Sequence, residues 1–289
     1  MVGQAVPPAE PACGLLFHSF SEGGSAEPPE SDPRPPGSGF DPKSDPRPSA
    51  IAPANPERYP FWTYGDLFLF FGLAVPCLLL GWALVKAASW ALHVHFAAKA
   101  AGPLAEQLVA YLALFGALSL ILRVQYDRPF WRSLAWTGFR LPFLWVVIFG
   151  LSTAYGVAIL GTLIHTPTTQ NALTELMEDR ASLLLMTAFG ITLGPLCEEL
   201  AFRGFLQPLL VRSLGAVPGI ILAAIPFGLL HYREYGNSWR HAAIVAAAGA
   251  AFGWMRHATG STRASTLMHA SYNALFFVVV LAQRRDLLR

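Results

Sequence analysis

The sequence predicts an all-α fold: a polytopic transmembrane bundle of about seven or eight helices, preceded by a disordered, proline-rich tail. Three observations predict it. Only 13% of the 289 residues are charged and 54% are hydrophobic, whereas soluble domains carry about 25% charged residues. Long apolar runs recur from residue 66 to residue 282. Strict alternation of apolar and polar residues, the mark of a barrel strand, is missing, and a helix satisfies its backbone polar groups within its own segment.

Residues 1–58 form a region of different composition. They hold more than half of the 23 prolines, eight acidic against four basic side chains, and Ser-Asp-Pro-Arg-Pro twice, at 31–35 and 44–48. Such a segment buries too little apolar surface to offset its ordering entropy. It reads as an extended tail, with proline-rich docking as the functional alternative. The first fifteen residues lack a basic stretch followed by an apolar core, so the first span is expected to direct insertion.

The second region, 59–289, contains apolar runs at about 66–85, 104–122, 142–164, 183–212, 217–231, 241–256 and 264–282. Crossing about 30 Å of hydrocarbon takes roughly 20 apolar residues, which five or six of these provide. The fourth is too long for one span and is expected to be interrupted at Gly194-Pro195 and Pro208. The fifth is short. The sixth, with Ala242, Ala246, Ala250, Gly249 and Gly253, is a small-residue surface suited to close helix packing. Tyr59, Phe61, Trp62, Tyr64, Trp131 and Trp136 cluster at span edges, as an interfacial aromatic belt would. Asn171–Arg180 reads as a short amphipathic connector with Thr168 and Thr169 as caps and Glu175, Glu178 and Asp179 on its solvated face.

Arg123, Arg128, Arg132 and Arg140 in one loop place that loop in the cytoplasm by the positive-inside rule, while Arg284, Arg285 and Arg289 argue the other way. Arginine outnumbers lysine 17 to 3, which points to a bacterial inner membrane. Net charge is +2, and no basic, aromatic-interleaved patch suits nucleic acid. Cys13, Cys77 and Cys197 share no metal or redox spacing.

Chemistry concentrates in the fourth run, Leu196-Cys-Glu198-Glu199-Leu-Ala-Phe-Arg203. A charged side chain at mid-bilayer costs about 2.5–3.5 kcal/mol on insertion scales, so three together require compensation. Glu199 and Arg203 are four apart on one helix face and are expected to pair. Glu198 points about 100° away and is left free for proton transfer. An ion pair that only stabilises the bundle would account for Glu199 and Arg203 but not for Glu198. Two other runs supply suitable partners: Phe227-Gly-Leu-Leu-His231, and His269-Ala-Ser-Tyr-Asn273 with both polar groups on one face. His93, His95, His165, His241 and His257 lie in loops or at span ends and read as interfacial residues.

Glu-Glu-x-x-x-Arg at 198–203, Phe-x-x-x-His at 227–231 and His-x-x-x-Asn at 269–273 resemble, in order and spacing, the three motifs of the CPBP family. This family comprises the CAAX proteases and bacteriocin-processing enzymes, is also called the Abi family, and includes the type II CAAX prenyl endopeptidases. Gly253-Trp254 through Thr259-Gly260-Ser261 is similar to it too, and the resemblance covers about 180–282. It implies an intramembrane endopeptidase in which Glu198 and His231 activate water. His269 and Asn273 then stabilise the oxyanion, with Glu199, Arg203 and Phe227 in support. The implied partners are the lipid bilayer and a peptide or a prenylated or otherwise lipidated protein. One divalent metal, such as zinc, could be held by Glu198, His231 and His269. A metal-free mechanism uses the same residues, and the His-Glu-x-x-His signature is missing. Two other classes stay open at this stage: a proton-coupled transporter using the intramembrane acids, and a non-catalytic immunity or binding protein.

Overall fold

The structure, a computed structural model, describes residues 59–167 and 175–288. The tail and the proposed cap residues Thr168 and Thr169 lie outside the described residues, as does the start of the amphipathic connector. Among the described residues every regular element is helical. Five helical segments are long and apolar enough to cross a membrane: Tyr64–Leu92, Ala101–Tyr126, Phe143–Leu163, Arg180–Leu214 and Thr262–Gln283. The chain is thus a multi-pass membrane protein of the class its composition predicts.

The first span is built from α1 (Tyr64–Gly72) and α2 (Ala74–Leu92). Thr63 and Asp66 start it with a reciprocal capping box, which satisfies otherwise orphaned N–H groups. Pro76 lacks a donor for the preceding turn, which accounts for the interruption at Leu73. Next come α3 (Ala101–Tyr126), the single turn α4 (Phe130–Ser133) and α5 (Phe143–Leu163). Asp179, expected on a solvated face, instead caps α6 (Arg180–Ile191) by accepting from the Ser182 backbone N–H, and Glu178 pairs with Lys99.

The long fourth segment breaks, as its length demanded, but at Thr192 (φ −124°, ψ −83°) rather than at Gly194-Pro195. The Pro195 ring excludes the carbonyl of the residue four positions earlier from continuing the ladder. Once the break has formed, Pro195 falls in the first turn of α7 (Leu193–Glu199), where no N–H is needed. A π-helical stretch, Leu200–Leu206, follows, all seven residues buried, and then α8 (Gln207–Leu214). Pro208, expected to interrupt the run, sits in the first turn of α8 without breaking it.

The remaining helices are α9 (Ala216–Leu230), α10 (Trp239–Thr259), α11 (Thr262–Gln283) and the short α12 (Arg285–Leu288). The small residues of α10 do bring backbones together: a Cβ on Gly228 would come within 2.3 Å of the Ala242 carbonyl oxygen. Trp62 departs from the interfacial expectation. It is fully buried, stacks on Phe205 at 5.1 Å and donates its indole N–H to the Phe205 carbonyl at 3.1 Å. Burial of an indole requires such a partner, and the neighbouring π-helical stretch supplies it.

Candidate active site

Glu198 and Glu199 occupy the last two positions of α7 and diverge as helical geometry requires. Glu199 is fully buried and Glu198 is 26% exposed. Glu199 Oε1 lies 2.9 Å from Arg203 Nη1. Arg203 is itself buried, donates from Nη2 to the Gly249 carbonyl at 2.7 Å, and stacks its guanidinium over Phe227 at 4.2 Å. A Cβ on Gly249 would stand 2.7 Å from the Phe227 ring and 2.9 Å from Arg203 Nη2. The small-residue surface of α10 therefore admits the arginine as well as packing helices.

Glu199 has a second partner that intrahelical spacing does not indicate. His269 Nδ1 is 3.0 Å from the same Oε1, and His269 Nε2 faces Glu198 Oε2 at 3.8 Å. Facing a carboxylate at Nδ1, the imidazole carries a proton there, and Nε2 is the atom presented to Glu198. Phe252 stacks flat on the imidazole at 4.4 Å, fixing the ring plane.

His231 ends α9. Its Nδ1 is 2.9 Å from the Phe227 carbonyl, which fixes the ring orientation and leaves Nε2 facing outward. The Phe227 ring contacts both imidazoles edgewise or tilted, with centroids 5.1 Å from His231 and 5.8 Å from His269. Asn273, one turn beyond His269, donates from Nδ2 to the Gly190 carbonyl at 2.7 Å, two residues before the break at Thr192. One amide hydrogen is thereby committed to holding α11 against α6, and the other is not.

Glu198, His231, His269 and Asn273 all line one cavity of about 200 Å³. So does Glu234, a residue that the sequence reading passed over. Glu234 Oε2 is 3.9 Å from His231 Nε2, and burial pushes its carboxyl above the usual range, with nearby His231 opposing the rise. Its spacing of three from His231 was the available signal. Its position in a polar turn hid it.

A second, largely apolar cavity of about 560 Å³, walled by residues such as Phe71, Leu78, Leu114 and Phe202, shares Glu198, His231 and Glu234 with the first. A cavity of about 960 Å³ beside Arg140 and Trp254 carries none of the motif residues. Among the described residues no three His, Cys, Asp or Glu side chains form a cluster able to hold a metal ion. Glu198, His231 and His269, as they are placed, form no such cluster.

The site thus consists of paired glutamates on a broken membrane helix, with two histidines and an asparagine brought in from two other helices. Residues 180–275 match the family model described as type II CAAX prenyl endopeptidase Rce1-like. The match covers the motif-bearing third of the chain and supports its likeness to the CPBP/CAAX proteases. No curated protein and no solved structure matches the chain.

Proposed function

We propose that the protein is an intramembrane endopeptidase that hydrolyses a peptide bond of a lipidated or membrane-associated protein. The observation that carries this reading is the shared wall: Glu198, His231 and Glu234 line both the small polar cavity and the larger apolar one. The apolar cavity falls within the roughly 300–1,000 Å³ typical of small-ligand sites. An isoprenoid or acyl chain lying in it would deliver the adjoining peptide to the carboxylate of Glu198.

Water between Glu198 and His231 Nε2 loses a proton to Glu198, and its oxygen attacks the scissile carbonyl carbon. The protonated glutamate then returns the proton to the leaving amine, so the elements of water are divided between the two products. His269, held at Nδ1 by Glu199, becomes an Nε2–H donor when it is charged, and Glu199 stabilises that cation. The uncommitted amide hydrogen of Asn273 is the second donor for the developing oxyanion. Preorganised donors in a dry site stabilise such charge strongly. Glu234, with Oε2 3.9 Å from His231 Nε2, helps hold that imidazole toward the water.

The test is cleavage of a prenylated peptide, and of the same peptide unprenylated, by purified wild-type protein and by Glu198→Ala. Wild type is expected to cleave the prenylated form preferentially. Glu198→Ala is expected to lose about 10²–10⁴-fold in rate, the usual contribution of a general base, while keeping the wild-type melting temperature. Comparing the membrane and secreted peptidomes of cells carrying either form would find the natural substrate. Full activity in Glu198→Ala would sink the proposal.

A further inference from the structure

A third cavity, of about 260 Å³, is lined by Tyr59, Gln207, Arg212, Arg256 and His257, among others. We infer that it binds a phosphate group, held between the guanidinium groups of Arg256 and Arg212.

Charge comes first. Arg256 is only 7% exposed, yet among the described residues neither it nor Arg212 has a carboxylate partner. A buried cation without a counterion is costly, and here a second, partly buried one shares the same small space. Arg203 makes the contrast, because it too is buried but is paired with Glu199. An anion from outside the chain would supply the missing charge.

The donors also suit the ligand. Arg256 commits Nε to Thr262 Oγ1 at 3.0 Å and Nη2 to the Tyr59 hydroxyl at 3.1 Å. A guanidinium has five N–H donors, so three are left, in a fork that matches phosphate oxygens. These two bonds also fix the plane of the fork. Arg212 is anchored by donating from Nη1 to the Pro60 carbonyl. The Tyr59 hydroxyl, accepting from Arg256, keeps its own hydrogen to give. Gln207 Oε1, buried in the same wall and without a hydrogen-bond partner, can accept from the hydroxyl of a singly protonated phosphate.

Position suits it as well. Tyr59 precedes the first span, Arg212 lies in the last turn of α8, Arg256 in the last turn of α10, and Thr262 opens α11. The cavity therefore sits at helix ends, the depth at which a bilayer places its headgroups. The phosphate could belong to an anionic phospholipid or be free in solution.

Thermal unfolding of the full chain distinguishes the two sources. In detergent, potassium phosphate is compared with sodium chloride at equal ionic strength. In nanodiscs, phosphatidylglycerol is compared with phosphatidylcholine. Occupancy is expected to raise the melting temperature by about 2–4 °C, and Arg256→Gln and Arg212→Gln are expected to lose that rise. A shift with inorganic phosphate assigns a free anion. A shift with phosphatidylglycerol while phosphate is inert assigns a headgroup. Should Arg256→Gln fail to fold, Arg212→Gln, whose side chain is only partly buried, decides the matter. No shift from either probe, or a full shift retained in the variants that fold, overturns the inference.

Discussion

The span Phe143–Leu163 and the span Thr262–Gln283 are of nearly equal length, yet the first buries 11% of its apolar window and the second 39%. The first has Phe143, Leu144, Tyr155 and Leu163 exposed along its length, as suits a helix bathed in lipid, and it carries no charged side chain. The second carries His269 and Asn273 toward the interior. Ionisable and amide groups are borne only where neighbouring helices shield and pair them. Apolar runs thus divide into a lipid-facing scaffold and a shielded set that does the chemistry, and hydropathy alone does not separate the two.

Breaking the shielded set should cost most. Arg203→Ala leaves Glu199 buried without its guanidinium partner, and stability is expected to fall by about 3–5 kcal/mol, read from denaturation in detergent. Adding Glu199→Gln to that variant should recover part of the loss, because the orphaned charge goes with it. Next is Asn273→Ala, expected to lower kcat by about 10²–10³-fold, the effect of one lost oxyanion donor, with little change in KM. Gly249→Ala should cost about 1–3 kcal/mol through overpacking against Phe227 and Arg203, seen as a lower melting temperature. Dialysis against a chelator should leave cleavage unchanged. A loss restored by zinc would instead make Glu198, His231 and His269 ligands. At the lipid-facing extreme, Trp90→Ala, at a residue 81% exposed, should shift stability by no more than about 0.5 kcal/mol. A large effect there would undo the division between scaffold and site.

Much of the site was legible because charge in an apolar run is conspicuous. Spacing of four pairs Glu199 with Arg203 on one helix, and the same rule places His269 beside Asn273. What spacing does not carry is the partner from another helix. The Glu199–His269 contact, the Phe252 ring on His269 and the Asn273 bond to Gly190 all depend on tertiary packing. Local rules also misplaced the helix break, since Pro195 could be absorbed into a first turn only after Thr192 had already left the helix. Trp62 misled for a related reason: an aromatic at a span edge is read as interfacial until a buried carbonyl such as that of Phe205 is found to receive its N–H.

The π-helical stretch Leu200–Leu206 has a consequence for how this chain can vary. At about 100° per residue, an unbroken α-helix would leave Gln207 some 80° around the axis from Glu199. The wider turns absorb a surplus residue, so that Glu199 and Gln207 are both buried and Gln207 reaches the Gly253 carbonyl at 2.8 Å. The stretch acts as a phase adjuster between the two ends of one helix. Removing a single residue within 204–206 would tighten it to α, and seven steps of about 100° leave the two ends only some 20° apart, whereas adding one would rotate everything beyond it. Substitutions there and the loss of the one surplus residue keep the phase, and an insertion does not.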